Sequence, residues 1–253
     1  MQPRGSGLWL AGLMALACTG CGPGAAGPPN PPVVPAPSSV VQQPIILTLA
    51  PFADSFANVV ESRFGPDSGW LSEHFERTPS GYRLAETVDA GRGSHRTAEV
   101  FFDSALVVDS VRVQGRLSGR VIDYDVSYSG RSVTGWFTAT QSDSSRRLPI
   151  ETVLPDSAFD ASAIMAVLPT LQWHVGMKHV LFEFNPENAT TQTVLLAVQG
   201  EEQVTVPAGT FDTFRAELTL PGVIRHMWYT RSVPHRCIKV VSVTNHWHTE
   251  LVH

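Results

Sequence analysis

The segment HWHTE, residues 246–250, carries the residue types of a metal site. In a strand, residues two apart point to the same face, so His246, His248 and Glu250 would share one side. Two histidines and a carboxylate are a known metal ligand set, and a metal-dependent hydrolase using these residues is one hypothesis. A flat strand spreads the three over about 13 Å, which is too far for one ion. We therefore favour a buried Trp247 face with the histidines in solvent, and we predict no metal and no cofactor.

Aromatic side chains form the second set of candidate residues. The chain has six tryptophans, and Trp136, Trp228 and Tyr229 fall in segments with strand-like sequence. Curved β domains often bind small apolar or sugar ligands in a concavity lined by such residues. Half-buried strands contain the same residue types for packing alone, so a structural role stays open beside the ligand pocket.

Other patterns argue against known classes of enzyme and of nucleic-acid-binding protein. Asp123 and Asp125 share one strand face, as a general acid and base would, but we favour the interpretation that this face is solvated. The sequence contains no Gly-x-Ser-x-Gly elbow, no P-loop and no dinucleotide-binding glycine motif. A net charge of -5 and a pI near 6.0 argue against a nucleic-acid partner, which needs clustered Lys and Arg. We predict no catalytic residues.

The elements that position these residues are predicted to be β-strands. In residues 120–128, Ile122, Tyr124 and Val126 alternate with polar side chains, which is typical of a half-buried strand. Ser129-Gly130 predicts a tight turn into a strand over 131–141. Similar patterns predict strands at 82–87, 98–108, 148–153, 179–184, 191–198, 210–220, 223–230, 237–243 and 246–252. We expect a mainly antiparallel meander that curls into a barrel or half-barrel.

One segment has helical spacing instead. Residues 159–168 predict a helix of about two turns, with Asp160 as N-cap and Pro169 ending it. Phe159, Ile164 and Leu168 would form its buried stripe. A single short helix among many strands indicates a lid or plug laid across the sheet.

The N-terminus has the pattern of an export signal. Arg4 precedes an apolar run over residues 8–17, and Cys18 follows directly. The segment resembles a bacterial lipoprotein signal, which implies cleavage after residue 17 and a lipid on Cys18. Cys21 is the second candidate for lipidation, and an ordinary cleaved signal peptide is the alternative. Thr19 after the cysteine implies an outer-membrane address by the same resemblance.

The segment after the cysteine is predicted to be a tether. Residues 18–44 are rich in Pro, Gly and Ala and cannot join a packed core. A single β domain is expected over residues 45–253. Cys237 is then the only cysteine of the domain, which excludes a disulfide scaffold and favours an inert buried thiol.

A hairpin motif carries a family resemblance. Val206-Pro207-Ala208-Gly209-Thr210-Phe211-Asp212 resembles a motif of a bacterial envelope family classed as a domain of unknown function. The pair Trp228-Tyr229, the segment 234–239 and Glu250-Leu251 extend the resemblance. It implies an exported, barrel-like β domain and no activity. We interpret Pro207, Gly209, Phe211 and Asp212 as structural, because proline and glycine fit the turn and Phe211 would point inward.

Together these observations predict a lipid-anchored protein that faces the periplasm and has a non-catalytic binding or structural role. A membrane contact through the N-terminal lipid is expected. An envelope lipid or glycan in the aromatic concavity is the favoured partner. A protein partner bound at a sheet edge is the alternative.

Overall fold

A computed structural model describes residues 55–64, 67–91, 93–117, 119–141, 144–156 and 158–253. The predicted signal peptide, Cys18, Cys21, the tether and the start of the domain lie outside these residues. The described residues belong to one compact unit. No helix among them is long and apolar enough to cross a membrane.

The described chain is almost entirely β-structure. The strands are β1 Ser55–Phe64, β2 Asp67–Thr78, β3 Gly81–Gly91, β4 Ser94–Asp103, β5 Val108–Leu117, β6 Arg120–Ser129, β7 Ser132–Gln141, β8 Ser144–Val153, β9 Ala158–Asp160, β10 Lys178–Asn185, β11 Thr190–Val206, β12 Gly209–Leu220, β13 Val223–Thr230, β14 Cys237–Ser242 and β15 Trp247–Leu251. One helix, α1 (Ile164–Val167), runs into a 3₁₀ turn over Leu168–Thr170.

All fifteen strands belong to one sheet in the order β8-β7-β6-β5-β4-β3-β2-β1-β15-β14-β13-β12-β11-β10-β9. Neighbours are antiparallel except β9, which pairs in parallel with β10. The antiparallel meander with one short helix is confirmed. Within the described residues the sheet is not closed, because β8 and β9 end it without pairing to each other.

Two large apolar clusters and one small one are buried among the described residues, and the helical segment contributes to both large clusters. One cluster lies mainly on β2–β8 and includes Ala163 and Ala166. The other lies mainly on β10–β14 and includes Ile164 and Leu168. Complete burial of one leucine side chain stabilises the fold by about 2 kcal/mol. Because the helical segment buries side chains in both clusters, it holds the two parts of the sheet together. The segment is therefore a plug.

The predicted start of the helix is wrong. Residues 158–160 are extended because they form β9, in which Asp160 pairs with Phe184 of β10. Asp160 accepts a hydrogen bond from the Ser162 backbone N–H at 2.7 Å, so it caps a turn and not the helix. The helix itself begins at Ile164 after Ala163, which offers no side-chain cap.

Four strands were missed. The sequence does not predict β1, β2, β5 or β9, and the strand predicted over 98–108 ends at Asp103 because residues 104–107 form the β4–β5 turn. In β2 the polarity is inverted: Glu73 is buried, whereas Trp70 is 54% exposed. Such an inversion hides the alternation of apolar and polar residues by which strands are predicted.

Inward-facing glycines bring neighbouring strands close together. At Gly135 in β7, which has φ +153°, an added Cβ would lie 2.1 Å from the Asp125 carbonyl oxygen of β6. At Gly115 in β5 it would lie 2.2 Å from the His95 carbonyl oxygen of β4. Glycine at such positions lets a sheet bend sharply.

Replacing Gly135 by alanine should therefore lower the free energy of unfolding by about 2 kcal/mol, because a backbone atom of β6 has to move. Gly200→Ala is the matched control, since an added Cβ there meets nothing within 4 Å. We expect the control to stay within about 0.5 kcal/mol of the wild type. Chemical denaturation measures both, and equal effects of the two variants would contradict the close-approach argument.

Candidate functional site

The predicted histidine strand does not assemble a metal site. His246 lies in the turn before β15 with φ +55°, and Thr249 and Leu251 are buried on the inner face. Glu250 on the outer face is engaged by Lys239, whose Nζ lies 2.7 Å from its Oε1. Among the described residues, no three His, Cys, Asp or Glu side chains are grouped to hold a metal ion. The metal-dependent hydrolase hypothesis has no support from this geometry.

The strand geometry does not bring the predicted pocket residues together. Trp228 and Tyr229 are consecutive in β13 and therefore point to opposite faces of the sheet. Tyr229 is fully buried and stacks on Trp173 with ring centroids 4.5 Å apart. Trp228 donates a hydrogen bond to Glu202 on the outer face. These two residues do not line one concavity.

Trp136 also lies on the outer face, since it pairs with Asp125 of β6 and Pro149 of β8. The Arg147 guanidinium covers its ring at 3.8 Å from the centroid. The three predicted pocket residues are thus separated, and none of them lines the cavity described below.

The hairpin motif docks the β11–β12 turn against β15. Val206 pairs with Gly209 across the two-residue turn, and the Ala208 N–H donates to the Leu251 carbonyl at 3.1 Å. Phe211 packs on the small cluster that contains Val206 and Leu251.

The remaining motif residue, Asp212, accepts hydrogen bonds at both its side-chain carboxylate and its backbone carbonyl. The Gln203 amide donates to its carboxylate at 3.3 Å, and the Arg231 N–H donates to its carbonyl at 3.0 Å. Every contact described for the motif is thus internal to the fold.

A cavity of about 350 Å³ lies at the end of the sheet where the β4–β5 and β6–β7 turns meet the chain between β8 and α1. Its walls are mostly apolar. The lining residues are Leu106, Val107, Val108, Tyr128, Gly130, Arg131, Leu154, Pro155, Ala158, Phe159 and Asp160.

The β4–β5 turn presents Leu106 to the cavity in a strained conformation. Leu106 has φ +60°, which costs a non-glycine residue about 1 kcal/mol, yet its side chain is 2% exposed. The Asp103 carboxylate fixes the turn by accepting the N–H groups of Ala105 at 2.7 Å and Val107 at 2.9 Å. Strained backbone held by its surroundings is typical of functional sites.

The polar part of the lining is the pair Tyr128 and Asp160. The Tyr128 hydroxyl donates to Asp160 Oδ2 at 2.5 Å, and the Ser162 N–H donates to Oδ1 at 2.7 Å. Burial raises the pKa of Asp160 to about 6, while the bond from Tyr128 opposes that rise. Burial and the nearby Asp160 carboxylate raise the pKa of Tyr128, which therefore stays a hydrogen-bond donor.

A second layer of polar contacts fixes this pair. Ser162 Oγ lies 2.7 Å from the Tyr124 hydroxyl, and Arg96 donates to the same Oγ at 3.1 Å. The other end of the Arg96 guanidinium forms an ion pair with Glu86. The network connects β3, β4 and β6 to the turn before α1, so the position of Asp160 depends on four separate segments.

Arg131 and Val107 lie towards solvent at the mouth of the cavity. Arg131 Nε donates to the Leu154 carbonyl at 2.6 Å, and its Nη1 lies 3.3 Å from the exposed Asp156 carboxylate. Val107 is 52% exposed. The mouth is therefore the solvent-exposed side of the cavity, whereas Asp160 is 1% exposed at the inner wall.

Sequence reasoning missed this site. Tyr128 ends the strand predicted over 120–128 and Asp160 is the predicted helix cap, so the sequence patterns indicate a structural role for both. The available signal was the carboxylate itself, since Asp160 lies between Phe159 and Ala161 in an apolar segment. A charged residue in such a segment is buried with partners or is functional.

Comparison with known proteins identifies the family. Residues 82–244 match the family model described as "Protein of unknown function (DUF3108)". The chain belongs to the DUF3108 family. The matched part of this DUF3108 protein contains every residue that lines the cavity, together with the β11–β12 hairpin.

No curated protein matches the chain. Among solved structures, the chain is similar to a β-barrel-like protein of the domain of unknown function DUF1849 from Brucella abortus. The TM-score is 0.46 at 10% sequence identity, and the match covers 78% of this chain and 95% of that chain.

A second buried carboxyl group lies on the inner face of β2. Glu73 is 8% exposed, and burial together with the nearby Glu86 raises its pKa to about 8. Burial, with a contribution from Glu73, also raises the pKa of Cys237 to about 12, so its thiol stays protonated at neutral pH. Cys237 is a free cysteine, and its position supports the interpretation as an inert thiol.

Glu73 should make stability depend on pH. In the unfolded chain the Glu73 carboxyl group ionises near its ordinary pKa of 4.5, whereas in the folded state it keeps its proton up to about pH 8. The unfolded state therefore binds fewer protons in this window, and the Glu73 contribution makes stability fall as pH rises, by up to about 1.4 kcal/mol per pH unit. Glu73→Gln should remove this slope, as measured by urea unfolding from pH 4.5 to 8. The exposed Glu151→Gln is the control and should keep it.

Proposed function

We propose that this DUF3108 protein is a non-catalytic binding protein that holds a small, mostly apolar molecule in the cavity between the β4–β5 turn and β9. The cavity itself is the observation that carries the proposal. Its volume of about 350 Å³ is at the lower end of the 300–1,000 Å³ range of ligand pockets. Its apolar walls with few polar groups are typical of such sites.

The composition of the walls favours a lipid fragment over a glycan. Leu106, Val108, Leu154 and Phe159 offer aliphatic and aromatic surface, whereas a sugar needs many hydrogen-bonding partners. The size of the cavity suits a single short chain or ring system. An envelope lipid would then be bound through one part of the molecule, with the rest outside.

The location that we propose is the cell envelope. The supporting observations are the basic residue, the apolar run and Cys18 at the N-terminus, followed by a tether of Pro, Gly and Ala. In this arrangement a lipid on Cys18 holds the β domain beside the membrane, which is the source of its ligands.

Strand addition by a protein partner is less favoured. β8 is an edge strand of the described sheet and is the natural place for it. However, β8 carries Pro149, Arg146 and Arg147, and proline and charge at an edge discourage pairing with another strand.

Filling the cavity should abolish binding. Ala158→Phe adds a ring to the lining, and we expect at least tenfold weaker binding of octan-1-ol in isothermal titration calorimetry. Ala105→Phe is the control, because Ala105 is exposed at the same end of the sheet and does not line the cavity. Unchanged octan-1-ol binding in Ala158→Phe, with an unchanged circular dichroism spectrum, would place the ligand elsewhere.

The anchor is tested separately. Cys18→Ser should move the protein from the membrane fraction to the soluble periplasmic fraction, because the lipid attachment site is lost. If the protein stays in the membrane and Cys21→Ser releases it, the second cysteine carries the lipid. Release by neither substitution would contradict lipid anchoring.

A further inference from the structure

We propose that the cavity selects ligands whose buried end donates a hydrogen bond, an alcohol or a primary amine, and rejects ligands that bury a carboxylate or phosphate. Asp160 is the residue that makes the distinction. The inference rests on the proposed function, because it concerns which molecule the same cavity takes.

The first support is the hydrogen-bonding capacity of Asp160. A carboxylate has about four acceptor positions on its two oxygens. Within the described residues, Tyr128 and the Ser162 N–H are its hydrogen-bond donors, one for each oxygen. Acceptor positions therefore remain on a carboxyl group that belongs to the cavity lining, and the proposal is that a hydroxyl or ammonium group of the ligand uses them.

The second support is the arrangement of the nearby cations. Arg96 is held by the ion pair with Glu86 and by its bond to Ser162. Arg131 at the mouth is held by the Leu154 carbonyl and lies beside Asp156. An anionic group at the inner wall would be repelled by the Asp160 carboxylate. Neither guanidinium group would compensate for this repulsion, because both already bind partners within the protein.

The third support is the direction of the Tyr128 hydroxyl. Its proton is donated to Asp160, so it is not offered to a ligand acceptor. Tyr128 acts as a positioning residue, because its short bond fixes the carboxylate that would meet the ligand. The rest of the lining is aliphatic or aromatic and suits an alkyl chain behind the donor group.

The test is a series of ligands with equal chain length. Octylamine, octan-1-ol and octanoate are titrated into the full-length protein at pH 7.5 by isothermal titration calorimetry. We expect the amine and the alcohol to bind at least tenfold more tightly than octanoate. In Asp160→Asn, octylamine should lose at least tenfold in affinity and octanoate should gain.

Two further variants keep the test decisive. Asp156→Asn at the exposed mouth should leave the order of the three ligands unchanged, and a loss of preference there equal to that of Asp160→Asn would overturn the inference. Tyr128→Phe retains the carboxylate but frees its orientation, so octylamine should weaken without any gain by octanoate. This variant also replaces Asp160→Asn if the latter does not fold.

The two proposals fail in different ways. Octanoate binding as tightly as octan-1-ol in the wild type would overturn the donor selectivity and leave the binding function intact. Absence of binding by all three ligands would overturn the proposed function itself.

Discussion

The structure depends on the packing of residues 158–170 between two parts of one sheet. Within the described residues the fifteen-stranded sheet ends at β8 and β9, which do not pair with each other. The plug supplies Ala163 and Ala166 to one apolar cluster and Ile164 and Leu168 to the other. Because these contacts are buried on both sides, removing the segment would expose both clusters to water.

The same segment brings a carboxylate into the interior. Asp160 is tolerated there because Tyr128 and the Ser162 N–H satisfy it, and Arg96 lies close enough to lower its pKa. A buried charge without such partners would cost several kcal/mol. The cavity lies where the apolar clusters end and this polar network begins, which explains its apolar walls and its single acidic residue.

The sequence predicted the architecture well and the site poorly, for physical reasons. β6 is recognisable in the sequence because Ile122, Tyr124 and Val126 make one of its faces apolar. β2 was missed because its buried face carries Glu73, and β9 because three residues are too short for any periodicity. The sequence shows which residues are aromatic but not which face of the sheet each one occupies. Consecutive residues such as Trp228 and Tyr229 point to opposite faces, and the strand register decides which of the two is buried. The site itself is assembled from residues far apart in sequence, which no local pattern reveals.

The pairing of β1 with β15 stands apart from the rest of the described sheet. Every other pair joins strands that follow one another along the chain, whereas Val60 of β1 meets Leu251 of β15. The two parts of the sheet can thus form locally and quickly, but their seam needs the C-terminal strand. A chain that emerges N-terminus first cannot complete this sheet until β15 has emerged. One side of β1 therefore stays without its strand partner while the intervening strands are already able to pair.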